Sequence, residues 1–106
     1  MDQLPFKKIT QEEAKKMMDS IPQCIVVDVR TEAEFKAGHI KNAINIPNEE
    51  IEYNQPEELP DEDQPILVYC RSGHRSIHAS LKLHFLGYKN VYEFGGINTW
   101  PYEIEK

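Results

Sequence analysis

Ile66-Leu67-Val68-Tyr69-Cys70-Arg71-Ser72-Gly73-His74-Arg75-Ser76 is the stretch whose reading decides the fold. Its apolar opening reads as a strand, its serine and glycine as a sharp turn, and the residues from about Arg75 to Leu86 as a helix. A strand that turns straight into a helix aims several backbone N–H groups into the turn, and the helix start adds a positive partial charge. Such a loop binds an anion and stabilises a thiolate, the reactive form of cysteine. An unperturbed thiol is only about 3% ionised at neutral pH, and a downward shift of about two units would make most of Cys70 anionic.

Charge along the chain is uneven. No Asp or Glu occurs from Gln64 through Tyr92, while Arg71, Arg75, Lys82 and Lys89 fall inside that window, so a locally basic loop is expected. The whole chain carries a formal net charge of −6, and eight carboxylates lie between Glu49 and Asp63. That acidity favours solubility and argues against binding to nucleic acid or an anionic membrane.

Working outward from the loop, Thr10-Gln11-Glu12-Glu13 has capping-box spacing and predicts a helix over Gln11 to Ser20. Ile25-Val26-Val27-Asp28-Val29 reads as a strand buried on both faces. Thr31-Glu32-Ala33-Glu34 repeats the capping box before a short helix through Ala37, with Gly38 as a left-handed stop. Ala43 to Ile46 is a short strand halted by Pro47. Residues 48–65 are acidic, carry three prolines and read as a frayed helix and surface loop, anchored by Ile51, Tyr53 and Leu59. The long helix after the loop places Ile77, Leu81 and Phe85 on one side and Ala79, Leu83 and Leu86 on another, predicting a largely covered helix that ends at Gly87. Asn90 to Phe94 is a last strand, and Gly95-Gly96 turns it into a C-terminal segment containing Trp100.

Strands alternating with helices in this order predict an α/β fold, three-layered, with a mainly parallel sheet of four to five strands. A chain of 106 residues holds one domain, spanning residues 1–106. The start Met1-Asp2-Gln3-Leu4-Pro5 lacks the basic and apolar segments of a signal peptide, and no apolar run reaches membrane-spanning length, so the expected compartment is the cytoplasm. In open parallel sheets, sites lie beyond the carboxyl ends of the strands, which gathers Asp28, Arg30, the Cys70 loop and Gly95-Gly96 on one edge. Cys24 precedes its strand and, at about 3.3 Å per residue, falls roughly 15 Å from that edge. It is expected to be a buried thiol, not a disulfide partner of Cys70.

These landmarks together resemble a single-domain rhodanese, a thiosulfate sulfurtransferase. The resemblance rests on Val27-Asp28-Val29-Arg30, Glu34-Phe35, Gly38-His39-Ile40, Ala43-Ile44-Asn45-Ile46-Pro47, the loop Cys70 to Ser76, and Phe94-Gly95-Gly96-Ile97 with Trp100. It implies the rhodanese fold, Cys70 as catalytic nucleophile alternating between thiolate and persulfide, and a loop of Arg71, Ser72, Gly73, His74, Arg75 and Ser76 that binds substrate. The implied partners are a small anionic sulfur donor and a thiol, cyanide or protein acceptor, with no nucleic acid, no membrane and no metal or organic cofactor. The C-terminus departs from the pattern, because Trp100-Pro101-Tyr102 stands where the family has a longer helix.

Four residues separate Cys70 from Arg75, where cysteine phosphatases of similar fold have five, and the resemblance implies that the smaller cradle suits a sulfur atom on the cysteine rather than a phosphate group. A cysteine-dependent phosphatase or arsenate reductase, and a rhodanese-fold binding module without turnover, remain the alternatives.

Each residue also has a plainer role. Arg71 suits contact with an anionic donor and Arg75 suits bracing the loop. Ser72 and Ser76 offer hydroxyls to sulfur, though Ser76 suits helix capping equally. Asp28 and Arg30 support the strand end, with Arg30 pairing Glu34 or another carboxylate. His39 reads as a turn residue bonded to backbone, and His74 and His78 read as a solvated pair, His74 contributing its amide to the loop.

Overall fold

A computed structural model describes residues 4–106; the chain start read above lies partly outside them. The main sheet has five parallel strands in the order β1-β6-β5-β2-β4: β1 (Lys7–Lys8), β2 (Ile25–Asp28), β4 (Ile44–Asn45), β5 (Ile66–Cys70) and β6 (Val91–Gly96). Its central strand, β5, is buried at all five positions, which is why its sequence is an unbroken apolar run.

Alternation along the strands splits the core into two layers. Val27, Val29, Ile66, Val68, Cys70 and Val91 face α3 (His74–Phe85), packing against Ala79 and Leu83. Val26, Leu67, Tyr69 and Phe94 face the other way, toward Ala14 and Met17 of α1 (Gln11–Ser20) and Phe35 of α2 (Glu32–Ala37). Both short helices begin as their sequences dictate. Thr10 and Thr31 each accept a bond from the backbone N–H three residues on, and Glu13 and Glu34 reach back to the cap.

Several expectations need correction. Phe85 is 80% exposed. The buried line of α3 runs through Ser76, Ala79, Ser80 and Leu83, and Phe85 lies about two and a half turns past Ser76, on the opposite side. Tyr53 is also exposed, so of the three apolar residues read as anchors of the acidic segment only Ile51 and Leu59 reach the core, and the Tyr88 hydroxyl donates to the Leu59 carbonyl at 2.6 Å. Gly38 has φ 154° and ψ 135°, because the chain runs directly into the next strand instead of curling into a compact left-handed stop. Gly95 and Gly96 belong to β6 itself. A second sheet, invisible in the sequence pattern, pairs β3 (His39–Ile40) antiparallel with β7 (Ile104–Glu105). These strands, like β1, are two residues long and too short to show a period.

Candidate active site

Cys70 ends β5, and the turn that follows lies on the glycine pair of β6. A β-bulge between Val68 and Cys70 sets Cys70 opposite Gly96. A Cβ on Gly96 would sit 2.0 Å from the Arg71 carbonyl oxygen, so only glycine lets the loop descend this close to the sheet. Gly73 caps α3 with φ 103° and ψ 2°, a left-handed conformation that turns its N–H toward sulfur. That N–H donates to Cys70 Sγ at 3.0 Å. The thiol in turn lies 3.4 Å from Ser76 Oγ, which is fully buried on the first turn of α3. Ser76 therefore faces the sulfur, and the helix start has no side-chain cap.

Burial pushes the Cys70 thiol up, but its hydrogen bond with the Ser76 side chain and those from the backbone N–H groups of Ser76, Gly73 and Ser72 outweigh it and leave the thiol below its ordinary range. Stabilisation thus comes from the loop's own dipoles. Two of the four cations read from the sequence as a basic neighbourhood are paired with carboxylates, and a third bonds a carbonyl. Arg75 is held by Glu34 in a two-pronged pair at 2.8 and 3.1 Å, which ties the loop to α2. Lys82 donates to the Asn48 carbonyl and Lys89 pairs with Asp63. Arg71 is exposed and makes no salt bridge among the described residues. His74 Nδ1 lies 3.4 Å from Ser72 Oγ, within the loop.

Glu93 was missed. It is 1% exposed, and its Oε2 accepts from the Ser76 hydroxyl at 2.5 Å and from Gly95 N–H at 3.0 Å. The acid-free window ends at Tyr92, one residue short of the carboxylate that the sheet delivers beneath the loop. Strand alternation carries the missing signal: Tyr92 and Phe94 form an aromatic face, which leaves Val91 and Glu93 together on the Cys70 face.

Asp28 and Arg30 share the strand-end edge but not the site. Asp28 takes the Arg30 guanidinium at 2.6 to 3.0 Å and the Tyr69 hydroxyl at 2.6 Å, on the face away from sulfur. Arg30 also donates to the Gly38 carbonyl, and Ile40 N–H donates to the Tyr69 oxygen. The network fastens α2 and β3 to the sheet. His39 stacks on Phe35 with ring centroids 3.8 Å apart, its Nδ1 2.9 Å from the Phe35 carbonyl. Cys24 and Cys70 are free thiols in opposite core layers. Cys24 is only half-buried, and desolvation pushes it up to about 11.

A strand-end cysteine in a six-residue loop, seated on a glycine pair and opening the helix that packs behind it, defines a rhodanese-type domain. The chain belongs to the family: the rhodanese-like domain profile matches residues 10–102. It is similar to the thiosulfate sulfurtransferase GlpE of Haemophilus influenzae, with 39% identity over 98 residues that cover 92% of this chain and 90% of that one. It is also similar to the thiosulfate sulfurtransferase PspE of Escherichia coli, 34% identical over 67% of this chain and 68% of that one. Among solved structures, a rhodanese-related protein from Thermoplasma volcanium superposes with a TM-score of 0.78 at 29% identity, covering 94% of this chain and 98% of that one.

Proposed function

We propose that this protein is a thiosulfate sulfurtransferase acting as one rhodanese-like domain over residues 1–106, and that it works in the cytoplasm. Among the described residues no helix is long and apolar enough to cross a membrane. The observation that carries the reading is the seating of Cys70 Sγ, 3.0 Å from the Gly73 N–H inside a loop that holds its thiol low.

The Cys70 thiolate attacks the outer sulfur of thiosulfate. A bond forms between the two sulfurs, and sulfite leaves with the electron pair of the bond it breaks. The persulfide's outer sulfur keeps one negative charge, which the inward N–H groups from Arg71 to Ser76 and the positive end of α3 stabilise, as an oxyanion hole stabilises developing charge. An acceptor nucleophile, cyanide in an assay or a thiol or protein in the cell, then takes the outer sulfur and returns the thiolate. Arg71, exposed beside the loop, meets the anionic donor, while Arg75, held by Glu34, keeps the helix start in place. The donor is thus a small anion and the acceptor a thiophile, with neither nucleic acid nor membrane involved.

Because the two substrates react in separate half-reactions, initial rates against thiosulfate at several cyanide concentrations give parallel double-reciprocal lines. Intersecting lines would contradict the covalent route.

A further inference from the structure

A buried carboxylate behind a nucleophile that must attack a dianion is an electrostatic handicap unless it gives up its charge. Glu93 occupies that position. Its Oε1 makes no hydrogen bond among the described residues, and the Lys8 ammonium lies 3.9 Å away on a half-exposed side chain. Its Oε2 is 2.5 Å from Ser76 Oγ, and Ser76 Oγ is 3.4 Å from Cys70 Sγ. Ser76 has one proton and two neighbours that can use it. The Gly95 carbonyl, at 3.5 Å, is a distant third.

With that proton on the Glu93 side, the serine oxygen accepts the thiol S–H, and the three residues form an unbroken donor chain from sulfur to carboxylate. We propose that Glu93 is a positioning residue that takes up the Cys70 proton through Ser76. The S–H bond breaks and its electron pair stays on sulfur; the proton binds Ser76 Oγ, and the proton already on Ser76 moves to Glu93 Oε2. The site carries one negative charge before and after. Afterwards the serine hydroxyl donates to the thiolate and the carboxylic acid donates to the serine, so the sulfur, the serine hydroxyl and Glu93 Oε2 each keep a partner.

Other charges facing the pair come from each neighbouring element. β1 supplies Lys8, α3 supplies Arg75 paired with Glu34 of α2, the loop supplies Arg71 and His74, and Glu49 faces Arg75 from the turn after β4. α1 contributes neutral Gln11, donating to the Gly96 carbonyl at 2.8 Å. Among the described residues the only carboxylate bonded directly to Ser76 is Glu93.

The inference rests on Cys70 as the sulfur-carrying nucleophile, but its test needs no sulfur donor. Alkylation of Cys70 by iodoacetamide is followed against pH, with peptide mass separating it from Cys24. In the wild type two interacting groups share the proton, and the profile rises in two steps with a plateau of partial reactivity between them. Glu93→Gln leaves one step, with its midpoint about one unit or more below the upper wild-type step, because the second charge is gone. Ser76→Ala keeps the carboxylate but removes the hydroxyl that donates to the thiolate in the proton-shifted form, and the plateau falls. A Glu93→Gln profile that superimposes on the wild type overturns the proposal, as does a plateau of unchanged height in Ser76→Ala. Persulfide formed from thiosulfate alongside superimposed profiles would sink the relay alone; a two-step profile with no persulfide would sink the sulfur-transfer reading alone.

Discussion

Tyr69 and Cys70 are neighbours in β5, yet one residue of alternation sends them to opposite faces of the sheet and into opposite kinds of chemistry. On the Tyr69 face, Asp28, Arg30 and the tyrosine hydroxyl close on one another: one carboxylate, one guanidinium, and bonds onward to the Gly38 carbonyl and the Ile40 N–H. Charge there is balanced. On the Cys70 face a thiol and a carboxylate share a serine, with Lys8 offering only a 3.9 Å contact. Among the described residues no cation bonds that carboxylate more closely. The same strand ends thus carry stability on one face and reactivity on the other.

The comparison is sharpened most by Cys70→Ser, which is expected to lower sulfur transfer by about three orders of magnitude or more while leaving the melting temperature nearly unchanged. Asp28→Ala gives the opposite pattern. Leaving Arg30 buried without its carboxylate costs about 3–5 kcal/mol in denaturant unfolding, while Cys70 in the remaining folded protein alkylates as before. If Asp28→Ala instead changed the Cys70 alkylation profile of the folded protein, the two faces would not be separate.

Gly96→Ala forces a methyl against the Arg71 backbone and is expected to destabilise by about 2–3 kcal/mol and to displace the loop, lowering transfer as well. The smallest effect belongs to the pair joining α2 to the loop. The Arg75 guanidinium holds the Glu34 carboxyl down to about 2, from an ordinary 4.5, against the upward push of burial. A depressed carboxyl stabilises the fold above its unfolded value and loses that contribution as pH falls through the folded one. Because both side chains are about one-third exposed, solvent screening limits the pair to about 1 kcal/mol. The stability gap between wild type and Glu34→Gln should therefore be present at neutral pH and close as the pH drops from 4.5 toward 2.

Much of this was legible in the chain. The two capping boxes, the strand that ends at Cys70, the loop and the glycine pair are local signals, and local signals survive folding. What escaped the sequence is what distant segments supply. The window from Gln64 to Tyr92 is free of acid along the chain, whereas the sheet brings Glu93, the next residue of β6, directly beneath the loop. The strand order already puts Asp28 and Arg30 at the correct edge, but which face they serve depends on the register that places Asp28 beside Tyr69. Phe85 followed an apolar spacing that drifts around α3 and ends in solvent, showing that a stripe of three at every fourth residue crosses from the covered side to the open one.

The central claim is tested most directly by the intact mass of the reduced protein before and after incubation with thiosulfate, with Cys70→Ser treated in parallel. A gain of one sulfur atom that cyanide removes and the variant never shows is the predicted result. An unchanged mass at every donor concentration, with Cys70 still open to alkylation, would contradict it.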